Sequence, residues 1–224
     1  MAMWTSGKPV EIETERVLLR SMQADDVTDR FVGWFGDPLV MANVAMRMNA
    51  GRRGLLRYLS SFDNASKFLF GIWLKDTGQQ IGWARIQIPP EKRYGITTTV
   101  IGERDYWGRG LGYEIRAAMI AFMFDSLGLD KVVNTAYAES ESTHALNQKL
   151  GFRRERVLRN HERGHDGNWR DVFIYGLLAD EWRARREGRN PDLHRRRRLR
   201  VSLRPRAGGG AGDPTPRPKV RDRN

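Results

Sequence analysis

The sequence predicts an α/β fold in which a strand–helix–strand crossover lies among antiparallel strands. The first observation is the β-branched run at 96–101, followed by a glycine turn and by apolar residues at helical spacing from Leu111 to Leu127. The second is the run at 131–138, a return strand that the crossover makes parallel to the first. The third is the Asp166-Gly167 pair, a strong signal for a β-hairpin.

The N-terminal residues predict one strand and two helices. Residues 13–20 form the strand. Asp25 or Asp26 is expected to cap a helix that ends near Phe35, because a Gly-Asp-Pro run follows it. A second helix is predicted over residues 51–62, where three leucines share one face.

The rest of the chain alternates between strand runs and helical spacing. The predicted elements are, in order, strands at 67–74, 81–88 and 95–101, a helix at 110–127 capped by Gly128, a strand at 131–138, a helix at 140–150, two strands flanking 165–168, and a helix at 179–186.

The positive charge of the chain is concentrated in its tail. The net charge is +12, and residues 183–224 hold fifteen basic residues against four acidic ones, a net of +11. Residues 1–182 are therefore nearly neutral, and nothing in them predicts nucleic-acid binding. The tail has four consecutive arginines at 195–198 and is rich in glycine and proline, so residues 188–224 are predicted to be disordered.

Three segments are predicted: a flexible N-terminus at 1–10, one domain at 11–187 and the basic tail at 188–224. The absence of cysteine excludes disulfides, thiolate metal ligands and a cysteine nucleophile. No apolar run reaches the roughly 18 residues that a membrane helix needs, and the N-terminus has no apolar signal core. We therefore predict a cytoplasmic protein without a membrane span.

The glycine turn at 108–112 is a candidate phosphate site. Its three glycines alternate with Arg109 and Leu111, and the missing Cβ atoms let backbone N–H groups converge at a helix N-terminus. No Lys-Ser or Lys-Thr follows, which excludes a P-loop, and the spacing differs from the Gly-x-Gly-x-x-Gly dinucleotide fingerprint. A tight strand-to-helix connection without a ligand is the alternative.

Several motifs in order resemble the GNAT superfamily of acetyl-CoA-dependent N-acetyltransferases. Trp107-Gly-Arg-Gly-Leu-Gly112 matches the family's Gln/Arg-x-x-Gly-x-Gly/Ala loop, except that Trp107 holds the first place. The Tyr-Trp-Gly-x-Gly form and the runs at 13–20, 151–158 and 166–171 are similar to the RimJ/RimL-like branch, which acetylates the N-termini of ribosomal proteins and also small amines. The resemblance implies a single mixed, mostly antiparallel twisted sheet with flanking helices.

The resemblance also implies acetyl-CoA as cosubstrate and no metal. The diphosphate is expected on the N–H groups of the turn, and the pantetheine arm between the two parallel strands, which splay apart past their start. The main chain of the first strand would hold the arm, and an N–H there would polarise the thioester carbonyl. The implied cofactor-binding residues are Val100, Ile101, Trp107, Gly108, Arg109, Gly110, Leu111, Gly112, Ser140, Thr143 and Asn147. Ordinary sheet core is the alternative for the first two, and helix capping for Ser140 and Thr143.

The implied reaction is direct attack of a neutral amine on the thioester, so a proton must be removed from the amine. Glu103 and Asp105 follow the first parallel strand, and Glu139 and Glu141 follow the second. Each is a candidate general base. The alternatives are a solvated loop carboxylate and proton removal by a chain of waters.

The departing thiolate often meets a tyrosine in this superfamily, and Asn147 stands in that place. Asparagine cannot protonate a thiolate, although it can hydrogen-bond to the sulfur. Tyr137 is a substitute candidate for the acid, with a core tyrosine as the alternative. His161 and His165 are four residues apart, but both fall in the predicted hairpin, so they are read as a surface pair rather than a metal site.

The predicted partner is an amine acceptor, either a protein N-terminus or a small molecule such as an amino sugar, an antibiotic or a polyamine. The Arg-rich tail suits contact with RNA or the ribosome, and equally a solvated extension with no role. A homodimer is compatible with the sequence, which does not decide the oligomeric state. The competing hypothesis is a GNAT-fold module that binds CoA or RNA without turnover, which Asn147 and the tail favour and the intact glycine turn opposes.

Overall fold

The computed structural model describes residues 5–44 and 51–188. The strands within these residues are β1 (Glu11–Glu13), β2 (Val17–Ser21), β3 (Lys67–Leu74), β4 (Gln80–Gln87), β5 (Tyr94–Ile101), β6 (Lys131–Tyr137), β7 (Arg153–Arg163) and β8 (Trp169–Leu178). They form one sheet in the order β1-β2-β3-β4-β5-β6-β8-β7. Every neighbouring pair is antiparallel except β5 and β6, which run parallel. The predicted single mixed, mostly antiparallel sheet is therefore confirmed.

The helices in the described part of the chain connect these strands. They are α1 (Asp29–Gly36), α2 (Pro38–Met41), α3 (Arg52–Leu59), α4 (Leu111–Ala121), α5 (Glu141–Leu150) and α6 (Ala179–Arg186). The predicted crossover is formed by α4, which carries the chain from β5 to its parallel neighbour β6.

The sheet separates two hydrophobic clusters. On one face α4 and the turn after it pack on the strands, where Phe122 meets Phe68 and Phe70 edge to face. On the other face the helices α1, α2 and α3 enclose Trp83, which stacks on Phe35. All five rings are buried. The sheet is therefore the middle layer of the domain, with helices on both sides.

The parallel strands β5 and β6 pair only where they begin. Three residue pairs join them, the last of which is Ile96 with Val133. Beyond that point β5 stays paired with β4 up to Ile101, and β6 stays paired with β8 up to Tyr137. Each strand keeps one hydrogen-bonded partner, so the sheet opens in its middle while both strands stay in place. This is the splaying that the family resemblance implies.

The N-terminal strand predicted at 13–20 is two strands, β1 and β2, joined by a turn. Thr14 closes the turn, because its N–H donates to the Val17 carbonyl (2.9 Å) and its Oγ1 accepts from the Val17 N–H (3.0 Å). The turn contains neither glycine nor proline, which are the residues that mark turns most strongly. A threonine side chain closes it instead, which is why the pattern of residue types missed it.

The helix cap predicted at Asp25 or Asp26 is wrong. Asp26 pairs with Arg20 (2.6 Å), and Ala24–Asp26 forms a separate 3₁₀ turn. The cap of α1 is Thr28, whose side chain accepts from the Phe31 N–H. Aspartate is generally a good helix cap, but the carboxylate of Asp26 is bonded to Arg20 of β2 instead.

The helix predicted at 110–127 has two parts. Regular α-helix ends at Ala121, and a π-helical turn, Phe122–Ser126, follows. The first three residues of that turn are all buried, and the wider π turn allows consecutive side chains to face the core. Gly128 then has φ +65°, as its predicted capping role requires.

Within residues 5–44 and 51–188, the helices are all too short or too polar to cross a lipid bilayer. Residues 1–4 and the tail at 189–224 lie outside the described residues. The predicted tail disorder and the division into three segments therefore stay predictions.

Candidate active site

The opening between β5 and β6 continues into a cleft of about 410 Å³. Its lining comes from both faces of the sheet: Leu39, Val40, Asn43 and Arg85 on the side of α2, and Gly108, Gly112, Arg116, Thr143 and Leu146 on the side of α4. The strands contribute Thr97 to Ile101 from β5 and Asn134 and Thr135 from β6. Because one cleft is lined from both faces, two reactants can enter it from opposite sides of the sheet.

The backbone of Ile101 faces the opening. Gly82 lies opposite Ile101, and the Gly102 N–H donates to the Ile81 carbonyl (2.8 Å). In an antiparallel ladder this arrangement makes Ile101 a non-hydrogen-bonded position, whose N–H and C=O point away from β4. They therefore point towards β6, into the part of the sheet where the two strands have separated.

The same alternation decides which neighbours of Ile101 present backbone groups to the opening. Val100 lies opposite Trp83 at a hydrogen-bonded position, so its N–H and C=O are directed to β4. Thr99 is two residues from Ile101 and faces the opening. The backbone groups that face the opening are therefore those of Thr99 and Ile101 rather than those of Val100, and Val100 lines the cleft.

The glycine turn presents free N–H groups beside the cleft. Gly108 and Gly110 have φ values of +72° and +79°, a backbone conformation that other residues adopt only with strain. Gly110 is the N-cap of α4, and no side chain accepts a hydrogen bond from the first turn of the helix. The N–H groups of residues 108–113 have no acceptor in the described part of the chain. Free N–H groups at a helix N-terminus are an arrangement that can bind an anion.

Arg16, from the turn before β2, holds the glycine turn in this conformation. Its Nη1 donates to the Arg109 carbonyl (2.9 Å), and its Nε pairs with Glu114 of α4 (2.7 Å). Glu114 also accepts from the Thr14 hydroxyl (2.6 Å) and from the Arg16 N–H (2.8 Å). Burial raises the pKa of Glu114, but these hydrogen bonds outweigh it and leave the pKa below its ordinary value.

Trp107 closes the end of β5. Its indole Nε1 donates to the Ile101 carbonyl (2.8 Å), while 44 % of the residue remains exposed. The Ile101 carbonyl is thus already bonded, and the Ile101 N–H is the group left for a ligand. The indole also lines the cleft, next to Gly108.

The N-terminus of α5 supplies two hydroxyls. Ser140 is buried, and its hydroxyl donates to Thr143 Oγ1 (2.8 Å). The Ser140 side chain makes no capping hydrogen bond, although its position is the N-cap. Of the two residues, Thr143 lines the cleft. His144, one residue on, bridges the Ala138 carbonyl and the Tyr175 hydroxyl (2.9 Å each) and so holds α5 against β8.

Arg116 is a buried residue of the cleft that the sequence pattern did not single out. It lies on α4, is 8 % exposed and lines the cleft. Its Nη1 donates to Oδ1 of the fully buried Asn147 (3.0 Å). Burial lowers the pKa of Arg116 to about 10. The signal in the sequence was an arginine within a run of apolar helix residues, one position after Ile115.

Two buried asparagines, one of which is the partner of Arg116, have side-chain N–H groups without an acceptor in the described part of the protein. These donors are the Nδ2 atoms of Asn147 and Asn134. An unsatisfied buried donor costs about 1–3 kcal/mol, so such groups mark a place where a polar ligand fits. Asn134 is in the lining of the cleft itself.

The predicted carboxylates lie outside the lining of the cleft. Glu103 accepts from Trp34 Nε1 (3.1 Å) and faces Arg30 (3.6 Å), while Glu139 pairs with Arg170 (3.1 Å). The other two candidates, Asp105 and Glu141, are exposed. The structure thus does not bring these four acids together, and the described lining of the cleft has no Asp, Glu or His.

The remaining predicted residues take varied places. Tyr137 is 3 % exposed, with Arg170 over its ring at 5.5 Å, and it does not line the cleft. Leu111 is a core residue of α4, and the side chain of Arg109 lies over Tyr106. Within the described ranges, no three His, Asp or Glu residues come together as metal ligands.

Comparison with known proteins gives a consistent picture. A family model described as the acetyltransferase (GNAT) domain matches residues 16–153. A curated relative, the uncharacterized N-acetyltransferase p20 of Bacillus licheniformis, is 25 % identical over 173 residues, which cover 75 % of this chain and 96 % of the relative.

Solved structures share the fold. A ribosomal-protein-S5-alanine acetyltransferase from Vibrio fischeri superimposes with a TM-score of 0.67 at 18 % identity, covering 77 % of this chain and 98 % of its own. A spermidine N-acetyltransferase from Vibrio cholerae, in complex with CoA and spermine, has a TM-score of 0.67 at 16 % identity and covers 74 % of this chain and 97 % of its own.

The contacts of Arg16 and Glu114 that hold the glycine turn make the stability of the folded protein depend on pH. The pKa of Glu114 is lowered in the folded state, so its carboxylate stabilises the fold at neutral pH, and this contribution is lost as the pH falls through the folded-state pKa. Glu114→Gln removes the titrating group. We expect wild type to lose more free energy of unfolding than this variant as the pH is lowered from neutral through the folded-state pKa of Glu114, measured by urea denaturation.

The control is Glu155→Gln, which removes a carboxylate from a partly exposed ion pair with Lys131. It should follow the wild-type pH dependence closely. Identical pH curves for wild type and Glu114→Gln would show that the carboxylate does not brace the turn.

Proposed function

Because the chain belongs to the GNAT acetyltransferase domain family and is an N-acetyltransferase, we propose that it moves an acetyl group from acetyl-CoA to a primary amine by direct attack. The observation that carries this proposal is the opening between β5 and β6, lined from both faces of the sheet and flanked by a turn of free N–H groups.

The proposed position of acetyl-CoA follows from these free groups. The diphosphate binds the N–H groups of residues 108–113, where the α4 N-terminus adds partial positive charge and Arg109 adds a full one. The pantetheine arm passes Trp107 and enters the opening, where Thr99 and Ile101 offer backbone groups in the manner of a paired strand. The unpaired amide of Asn134 supports this fit, because the amide groups of the arm supply the carbonyl acceptor it lacks.

The proposed reaction needs few groups from the protein. The lone pair of the neutral amine attacks the carbonyl carbon, the C–S bond breaks, and its electron pair leaves on sulfur. The extra proton on nitrogen passes to water. The Ile101 N–H is placed to polarise the thioester carbonyl. Glu103 and Glu139 stay predicted general bases, although neither lines the cleft and each is engaged elsewhere.

The acceptor is proposed to enter from the face of α2, past Leu39, Val40 and Asn43. The lining there includes Arg85 on β4 and no carboxylate from the described residues. A polyamine carries several positive charges and finds no counter-charge in such a lining. We therefore favour an acceptor with one amine, such as the N-terminus of a protein, in keeping with the resemblance to the RimJ/RimL-like branch.

Two further parts of the proposal concern other surfaces. Contact with RNA or the ribosome through the Arg-rich tail is retained as a prediction, and the tail beyond Gly188 lies outside the described residues. A homodimer is likewise retained as a prediction.

An acceptor panel tests the function. Purified protein is mixed with acetyl-CoA and with peptides beginning in Ala or Ser, an amino sugar, or spermidine, and release of free thiol is followed. We expect turnover with at least one single-amine acceptor, and at least about tenfold lower kcat/KM for spermidine. Spermidine as the best acceptor would contradict the proposed acceptor class, and CoA binding without thiol release from any amine would favour a non-catalytic module.

A substitution in the glycine turn tests the cofactor site. Gly110→Glu places a carboxylate where the diphosphate is proposed to bind, so we expect the increase in Tm on adding CoA to disappear. The matched control is Gly128→Glu, because Gly128 also has positive φ (+65°) but follows the C-terminal end of α4. The control should keep the CoA-dependent increase in Tm. Loss of that increase in both variants would point to general damage rather than to the site.

The pH dependence of kcat/KM tests for a missing general base. If the protein supplies no base, the rate rises with pH until the free acceptor is deprotonated. We expect the midpoint near the acceptor's own pKa, about 8 for a peptide α-amine and about 10 for an alkyl amine. A midpoint that stays the same for both acceptors would instead identify a titrating group on the protein, and Glu103→Gln and Glu139→Gln would then locate it.

A further inference from the structure

Arg116 is a buried cation without a counter-charge. No Asp or Glu in the described part of the chain lies within ion-pair distance of it, and its one hydrogen bond there goes to the neutral Asn147 (3.0 Å). Removing a lone charge from water is costly, and buried charges are normally paired. Even with its pKa lowered to about 10 by burial, the side chain is protonated at neutral pH. An anion is therefore the missing partner.

The packing of α4 on β5 locates this cation along the opening. A Cβ at Gly95, near the start of β5, would meet Met123 Sδ at 2.8 Å. One turn earlier on the helix, Met119 Sδ contacts the Thr97 and Thr99 hydroxyls (3.9 and 3.6 Å). The helix and the strand thus run in opposite directions. Arg116 comes one turn before Met119, which puts it beneath the end of β5, where the sheet is open.

Asn147 fixes the position of the guanidinium. Its Oδ1 accepts from Arg116, and its Nδ2 has no partner among the described residues. Both residues are buried, and Arg116 also borders the cleft. The pair offers positive charge and the free side-chain NH2 group of Asn147 at the side of the opening that the proposed pantetheine arm occupies.

We propose that Arg116, positioned by Asn147, binds the sulfur of CoA as a thiolate and so stabilises the leaving group by charge instead of protonating it. This inference rests on the proposed function. When the C–S bond breaks, its electron pair stays on sulfur, which leaves as an anion beside the guanidinium. No proton donor is needed, and the proton released by the amine goes to water.

Binding measurements isolate the contribution of the thiolate to affinity from that of the rest of CoA. The probes are CoA and desulfo-CoA, in which hydrogen replaces the thiol, with Kd measured by calorimetry from about pH 6.5 to pH 9.5. The phosphate groups titrate in both ligands, so the ratio of the two Kd values reports the thiol alone. A free thiol has a pKa of about 8.5. If Arg116 lowers the pKa of the bound thiol by at least one unit, the affinity of CoA relative to that of desulfo-CoA should increase about tenfold or more from the low to the high end of this pH range.

Variants of Arg116 test whether the pH dependence of the Kd ratio comes from the positive charge of this side chain. Arg116→Gln keeps a hydrogen-bonding side chain but removes the cation, so the Kd ratio should no longer change with pH, and Arg116→Lys should restore part of the change. Arg85→Gln is the matched control, because it removes the other described arginine of the cleft, on the opposite face, and should leave the ratio as in wild type.

The outcomes are distinct. A Kd ratio that is flat with pH in wild type overturns the thiolate inference, and so does a wild-type response in Arg116→Gln. If Arg116→Gln does not fold, the wild-type series and Arg116→Lys still decide. Failure of both ligands to bind would contradict the proposed cofactor site itself, whereas equal, flat binding of both would leave that site standing without the thiolate.

Discussion

The partial pairing of β5 and β6 is the constraint on which the site depends. Three residue pairs join the strands, and the outer partners, β4 and β8, keep each strand in place beyond them. The sheet can therefore open without loss of order, since each strand still satisfies one edge of its backbone. The open edges expose N–H and C=O groups in the interior, where a ligand with amide groups can pair with them.

The other features of the site maintain this opening and its entrance. Trp107 caps the last carbonyl of β5, and Arg16 ties the glycine turn to Glu114. The motif at the start of the chain and the motif of the glycine turn are thus parts of one structure, although Arg16 and Arg109 are 93 residues apart. Arg16 bonds the carbonyl of Arg109, and this contact occupies none of the turn's N–H groups.

The lining of the cleft is about half polar and half apolar, and its described polar groups include no carboxylate or imidazole that could act as a general base. It contains hydroxyls, amides and two arginines. Such a lining orients reactants and stabilises negative charge, which are the two contributions that acyl transfer from a thioester needs most. A thiolate is a good leaving group, so a tyrosine at the position of Asn147 can be absent without stopping the chemistry.

The sequence by itself determined the sheet class, the crossover, the glycine turn and the hairpin, because each follows from local periodicity or from glycine at a turn. It did not determine the turn at Thr14, the π turn after Ala121 or the roles of Arg16 and Arg116. These depend on contacts between residues far apart in the chain, such as Arg16 with Arg109 and Arg116 with Asn147. Tertiary structure also decided that Glu103 and Glu139 lie outside the cleft lining. Each carboxylate is near the end of a strand, and its direction depends on its bonding partner, which is Trp34 for Glu103 and Arg170 for Glu139.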